Sequence, residues 1–431
     1  MCICACAGAA PRSNGGSAAY RVGVGVDARP LSQEDCWHKR AVGVVAIHWR
    51  RFGPYHLARL RATHSKLESL GIKMVGLEIA SKDDTYGWQE WLETTPYERF
   101  VVFPGRNYEQ ISSLEMWRGI SEALDTLDPG LVAISGYNSR DAWGVLGWCL
   151  MKRRLAILMS DSKADDAPRS AWREWGKRRV IGQFATALCA GRPHKDYLMQ
   201  LGMQSERIFP GYDVVDNEYW FREADRARRA PVAARHLPGL AGPSPFFLAS
   251  ARFIPRKNLV GLLKAYASYR KLWAQKGTSE SAWRLVILGD GAEKQRILDL
   301  IGQERLAGVT LAGFRQIHEL PIYYGLAKVF IHPALQEQWG LVVNEAMASG
   351  LPVLVSSRCG CVPDLLREGE NGFTFDPEDM DALAALMLRM SSAEVDLSAM
   401  GRAARILIGD WGTERFADGI YQAMCTALRQ W

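Results

Sequence analysis

Residues 329–355 read Val329-Phe330-Ile331-His332-Pro333-Ala334-Leu335-Gln336-Glu337-Gln338-Trp339-Gly340-Leu341-Val342-Val343-Asn344-Glu345-Ala346-Met347-Ala348-Ser349-Gly350-Leu351-Pro352-Val353-Leu354-Val355. Two short apolar runs bracket a proline loop, a Trp-Gly pair and a helical segment from Leu341 to Ser349. Runs of this kind suit parallel strands covered on both faces, which need no apolar/polar alternation. The stretch therefore reads as strand, loop, helix, strand, with Glu337 on the loop and Glu345 in the opening turns of the helix.

The same alternation extends both ways. In the C-terminal half, further strands are expected at 246–250, 285–288 and 309–311. In the N-terminal half the first strand is 42–47, followed by a loop around Gly53-Pro54 and a helix over 55–70. Strands at 73–77, 100–103, 131–134, 155–159 and 187–190 follow, then a helix near 194–201 and a loop at 210–216. Alternating strands and helices over this length mean α/β architecture with parallel sheets. The stretch 221–244 is rich in Arg, Ala and Pro without apolar periodicity and reads as a connector. The expected organisation is a tail over 1–20, a Rossmann-like acceptor domain over 21–220, a linker over 221–244, a Rossmann-like nucleotide-sugar domain over 245–405, and a C-terminal helix over 406–431.

In open α/β sheets ligands lie beyond the carboxyl ends of the strands. There the second half carries Arg252 and Lys257, then Gly289-Asp290-Gly291, then Gly313-Phe314-Arg315, then the loop with Glu337. Cations neutralise phosphates, a carboxylate accepts two hydrogen bonds from a diol, and amides at a helix start favour developing negative charge. Two Glu residues at this spacing are by themselves ordinary solvated charges; the ordered strand, loop and helix around them, with cations at another strand end, favour a ligand site.

The stretch from Gly313 through Gly372, with Glu337, Trp339-Gly340, Glu345 and Asn371-Gly372, resembles glycosyltransferase family 4 and its Glu-x7-Glu signature; Arg252, Lys257 and Gly289-Asp290-Gly291 fit the same pattern. The resemblance implies a GT-B fold: two Rossmann-like domains facing across a deep cleft, with the C-terminal helix crossing back to the first domain. It implies a retaining, metal-independent glycosyltransferase acting in polysaccharide or glycolipid synthesis, with no cofactor and a nucleoside-diphosphate sugar, a UDP-sugar first, as co-substrate. Arg252 and Lys257 would bind the diphosphate, Glu337 the transferred sugar and Glu345 the ribose. Gly289 belongs to the donor set, the backbone around Phe314 and Arg315 would border the base, and the amides of Gly340, Leu341 and Val342 would face sugar and phosphate. Glu337, Arg252 and Lys257 form the catalytic set. Gly53, His56 and Asp161 are expected to line the acceptor side. The chain departs from the family in three places: one Gly in the loop Arg51-Phe52-Gly53-Pro54, Asp161 where many members have His, and Cys359-Gly360-Cys361 in place of a Gly pair.

Composition bounds the alternatives. A net charge of +6 suits anionic ligands, and no nucleic-acid module is recognisable. Nine Cys, an odd number, fit a reducing, cytosolic setting better than a disulfide framework. Cys2, Cys4 and Cys6 lack a suitable fourth metal ligand. No secretory leader or spanning run is visible, so the expectation is a cytoplasmic protein, with peripheral contact at the inner membrane face as a further option. Asp379-Met380-Asp381 reads as a helix cap rather than a metal motif, and His332 as a buried, hydrogen-bonded residue. The segment Trp172–Val180, with Lys152-Arg153-Arg154 upstream, mixes rings and cations: a solvated helix face or a membrane contact. Expected partners are a nucleotide sugar and a carbohydrate or lipid-linked acceptor. The rival functions are a nucleotide-sugar epimerase of the same fold and a non-catalytic sugar-nucleotide-binding protein.

Overall fold

The computed structural model describes residues 43–84, 95–276, 281–392 and 394–430. The expected tail over 1–20, with its cysteines, lies outside them. The N-terminal half runs β1 (Val44–Trp49), α1 (Pro54–Glu68), β2 (Lys73–Lys82), β3 (Glu98–Asn107), α2 (Ser113–Leu127), β4 (Leu131–Ser135), α3 (Arg140–Met151), β5 (Leu155–Ser160), α4 (Ala171–Ile181), β6 (Thr186–Cys189), α5 (Arg192–Gln200) and β7 (Ile208–Pro210). Helix α6 (Asn217–Arg229) leads to β8 (Phe246–Ser250), α7 (Leu259–Gln275), β9 (Arg284–Leu288), α8 (Lys294–Gln303), β10 (Val309–Gly313), α9 (Leu320–Leu326) and β11 (Val329–His332). The chain continues through α10 (Leu341–Ala348), β12 (Val353–Ser356), α11 (Val362–Leu365), β13 (Gly372–Phe375), α12 (Met380–Ser391), α13 (Leu397–Gly409) and α14 (Thr413–Gln430).

The first sheet has seven strands in the order β3-β2-β1-β4-β5-β6-β7, the second six in the order β10-β9-β8-β11-β12-β13. Every pairing in both is parallel. These are two Rossmann-like domains, and their central strands, such as Val45-Ala46-Ile47 and Phe330-Ile331, are fully buried. Strand order reverses between β1 and β4 in one sheet and between β8 and β11 in the other. Loops diverge at such a switch point and leave a crevice beyond the strand ends.

Helix α14 crosses back onto the first domain. Phe416 stacks on Trp49 with centroids 5.8 Å apart, and Thr186 Oγ1 donates to the Ala423 carbonyl at 3.0 Å. The crossing helix starts at Thr413, after a break at Asp410–Gly412 that ends α13, rather than at 406.

The stretch expected as a connector from 221 is helical at its start. Helix α6 reaches Arg229 and packs on the second domain, with the Trp220 ring edge-on to Tyr324 at 5.2 Å. Its buried side chains are only Asn217, Trp220 and Ala224, too few to give an apolar stripe among its arginines. Asp379 caps α12, accepting the Ala382 amide at 2.8 Å.

Candidate active site

A cavity of about 590 Å³ opens where the two switch points face each other. Most of its wall comes from the segments that follow four strands, Arg50–Arg59 after β1, Gly136–Asp141 after β4, Ala251–Lys257 after β8 and Glu337–Glu345 after β11, with Asp83, Asp161, Tyr212 and Asp213 added after β2, β5 and β7. Arg252, Lys257, Glu337, Gly340, Leu341, Val342 and Glu345 all line it from the second domain. Gly53, His56 and Asp161 line it from the first.

Glu337 is buried at the centre. Lys257 Nζ forms an ion pair with its Oε2, and His332 Nε2 lies 3.1 Å from the same oxygen. Burial works to raise the Glu337 carboxyl, but the His332 hydrogen bond and the Lys257 charge outweigh it and hold the group well below the usual range. His332 is buried and is raised to about 9: burial lowers it, while Cys359 and Glu337 raise it more. The site thus keeps the Glu337 carboxylate between Lys257 and His332, away from water.

Backbone close approach fixes this loop. A Cβ on Gly360 would lie 1.7 Å from the Gln338 carbonyl oxygen, so only glycine lets the Cys359–Cys361 loop rest there. The Cys359 thiol donates to the Trp339 carbonyl at 2.8 Å and sits beneath Gly340 rather than on the cavity wall. Trp339 is buried against Trp411, centroids 5.2 Å apart, and its indole N–H donates to Asn344 Oδ1 at 2.9 Å.

Glu345 projects from α10 with both carboxylate oxygens engaged. Tyr324 donates to Oε2 and Tyr55 to Oε1, each at 2.7 Å. Burial raises Glu345 to about 7, against the lowering effect of the two hydroxyls.

The first domain's contribution begins at α1, which Gly53 caps and Pro54 opens. The Gly53 amide donates to His56 Nδ1 at 3.0 Å, and burial with the Arg59 charge lowers His56 to about 3. The ring is therefore neutral at pH 7 and carries its proton on Nε2. Gly191 and His194 repeat the device at α5: the Gly191 amide donates to Nδ1 at 3.2 Å, and Nε2 donates across to the Gln338 carbonyl at 3.0 Å. Glu78 Oε1 accepts the Phe52 amide at 2.8 Å while Oε2 binds Arg99, which pins the loop before Gly53. Burial, and then the charge of Asp213, push the Asp161 carboxyl above the usual carboxylate range.

Three expected donor residues lie away from the cavity wall. Gly289 serves the backbone: at φ +124°, a Cβ there would meet the Ala251 carbonyl oxygen at 1.8 Å, so it permits the strand-end packing that places Arg252. Arg315 turns back on its own loop, donating to the Ala312 carbonyl and pairing with Glu319 at 3.0 Å. Phe314 is 40% exposed. Tyr55, Arg256 and Asp213 are among the lining residues that sequence reasoning missed, as is His194, which braces the Gln338 carbonyl from behind the wall; Tyr55 and His194 act across the domain boundary, where local spacing carries no signal.

Residues 235–406 match the family described as Glycosyl transferases group 1, so the segment holding the expected donor residues is a glycosyltransferase group 1 domain. The chain is 31% identical to a probable sucrose-phosphate synthase of Solanum tuberosum over 206 residues, 44% of this chain and 19% of that protein. It is 36% identical to a sulfoquinovosyl transferase of Arabidopsis thaliana over 126 residues, 28% of this chain and 24% of that protein. The matched segments thus span a quarter or less of these curated relatives. Among solved structures, an Anabaena protein in complex with UDP and glucose is similar at TM-score 0.65 and 15% identity, covering 88% of this chain and 98% of that one. A sucrose-phosphate synthase from Thermosynechococcus elongatus is similar at TM-score 0.65 and 19% identity, covering 90% and 98%. At these identities the likeness is one of fold, and the fold is GT-B.

Proposed function

We propose that the cavity is the donor site of a retaining, metal-independent glycosyltransferase. It moves a sugar from a nucleoside diphosphate, UDP in the first place, to a hydroxyl of a carbohydrate or lipid-linked acceptor in polysaccharide or glycolipid synthesis. The observation that carries this reading is the convergence of Arg252, Lys257, Glu337 and Glu345 on one cavity at the switch points of two facing sheets.

The chemistry follows from the charges. Arg252 and Lys257 neutralise the diphosphate, and the amides at the start of α10 face the oxygen that gains charge as the bond from the anomeric carbon to phosphate breaks. Glu337, kept ionised, accepts hydrogen bonds from sugar hydroxyls, and Glu345 accepts the ribose diol. Gly53, His56 and Asp161 form the acceptor side, where the His56 Nε2–H acts as a donor and Asp161 as a polar partner of the acceptor. The departing phosphate oxygen takes the acceptor's proton while the acceptor oxygen bonds the anomeric carbon on the same face. Domain closure keeps water from competing as acceptor.

The test is the product anomer. Incubation with a panel of nucleotide sugars and acceptors, followed by proton NMR of the glycoside, is expected to show retained configuration, with the same rate after treatment with a chelator. An inverted product or loss of turnover on chelation contradicts the mechanism. Interconversion of donor without acceptor indicates the epimerase instead.

A further inference from the structure

Among the described residues, all four exposed tryptophans stand on one helical layer. Right-handed crossovers place α2, α3, α4 and α5 on the same face of the seven-stranded sheet. Their inner sides share one core, through residues such as Ile120, Val145, Ile181 and Leu198. Their outer sides carry Trp117 and Trp143, then Trp172 and Trp175, which are 71% and 61% exposed.

The rings form a surface rather than scattered points. Trp143 and Leu150 lie two helical turns apart on one side of α3, with Gly147 between them. A Cβ on Gly147 would lie 2.8 Å from the Trp117 indole, so the bare backbone there lets Trp117 of α2 lie across α3. Exposed Met151 extends the apolar stripe, and exposed Lys152 and Arg153 follow it directly.

Cations accompany the rings. The Arg173 guanidinium lies 5.3 Å from the Trp172 centroid, and that of Arg179 4.7 Å from Trp175. On α4 cations outnumber carboxylates: Arg173, Arg178 and Arg179 are exposed, and its one carboxylate, Glu174, is tied to Lys177 at 2.8 Å and to the Tyr197 hydroxyl; beside α3, Lys152 pairs with Asp125 at 2.8 Å and Arg154 with Asp128 at 2.6 Å. Single exposed apolar residues are ordinary, but rings spread over three neighbouring helices, with an excess of exposed arginines on α4, mark an interaction surface.

We propose that this layer docks the protein on an anionic lipid bilayer, with the indoles at headgroup depth and the arginines and lysines against lipid phosphates. The cation excess of α4 selects this partner, with Arg173, Arg178 and Arg179 exposed beside Trp172 and Trp175, and the rings lie on an outward helical layer suited to a broad, fluid surface. Helix α3 starts directly after Ser139, which lines the cavity, so docking would hold the cleft beside the membrane. The inference does not depend on glycosyl transfer; that reading only supplies a use for it.

The test is co-sedimentation of the full chain with vesicles of phosphatidylcholine alone and of phosphatidylcholine with phosphatidylglycerol. Binding to the mixed vesicles alone is expected, weakening as salt is raised. The double variants Trp172→Ala/Trp175→Ala and Arg178→Glu/Arg179→Glu are each expected to lower partitioning at least about tenfold. All four positions are exposed, so thermal melts and calorimetric UDP affinity should be unchanged, which separates a docking defect from a failed donor site. Failure to sediment with either vesicle, or equal partitioning of wild type and both variants, overturns the proposal. So does a variant that turns a dimer into a monomer in sedimentation velocity while vesicle binding is untouched, since the layer would then be a self-association face.

Discussion

The Tyr55 hydroxyl, on the first helix of the N-terminal domain, donates a 2.7 Å hydrogen bond to Glu345 Oε1 on α10 of the C-terminal domain. The bond spans the cleft and uses an acceptor that the proposed ribose diol needs. Tyr324 holds the other oxygen from within the second domain, so the empty site is satisfied at both lone-pair sets. A nucleotide must displace Tyr55 or share Glu345 with it.

Removing that hydroxyl therefore favours the ligand. Tyr55→Phe leaves Glu345 short of one donor only in the empty state, a loss of roughly 1.5–3 kcal/mol for a bond to a charged group. UDP affinity measured by calorimetry is expected to rise by about 10- to 100-fold. Unchanged or weaker binding would show that the hydroxyl does not compete with the nucleotide.

Glu345 also predicts a pH signature. Its carboxyl is raised to about 7 in the folded chain against 4.5 as the ordinary value. The native state therefore keeps the proton after the unfolded state has lost it, and this group's contribution to stability falls as pH rises through that window. The fall amounts to about 3 kcal/mol. In urea unfolding at pH 5 and pH 8, the stability of Glu345→Gln relative to wild type is expected to rise by about that amount. A difference that stays constant with pH contradicts the assignment.

Lys257 is expected to act on the departing diphosphate rather than on the fold. Lys257→Ala leaves Glu337 its His332 partner, so the thermal midpoint should move little, while kcat falls by about 10²–10³ as for loss of one transition-state donor. Steady-state kinetics with intact folding checks this. A loss confined to KM would mean that the lysine binds ground state and transition state equally.

Trp339 is the structural counterpart. It is buried between Trp411 and His194 of the facing domain, and its ring fixes the loop that carries Glu337. Trp339→Ala is expected to cost about 3–5 kcal/mol in denaturant unfolding. A cost below 1 kcal/mol would mean that the loop is held by other contacts.

The two sheets were legible in the sequence because parallel strands buried on both faces appear as apolar runs, and their carboxyl ends point to the ligand loops. Strands β7 and β13 escape the sequence reading, since Ile208–Pro210 is only three residues long and Gly372–Phe375 opens on glycine and contains Thr374 instead of an unbroken apolar run. Helix α6 was hidden by arginines around Trp220 and Ala224. Of the site, the second domain's residues follow from strand-end position, but Tyr55 meets Glu345 at a separation of 290 residues, and His194 meets Gln338 at 144. No local spacing encodes such pairs. The Arg315 side chain is taken by its own loop, through Glu319 and the Ala312 carbonyl, which leaves only its backbone to face a ligand.

The most direct measurement is a crystal structure of the chain soaked with UDP. The account predicts the diphosphate between Arg252 and Lys257 at the start of α10, with the ribose hydroxyls on Glu345 in place of the Tyr55 hydroxyl. A nucleotide bound elsewhere, or one that leaves Glu345 and Lys257 untouched, contradicts it.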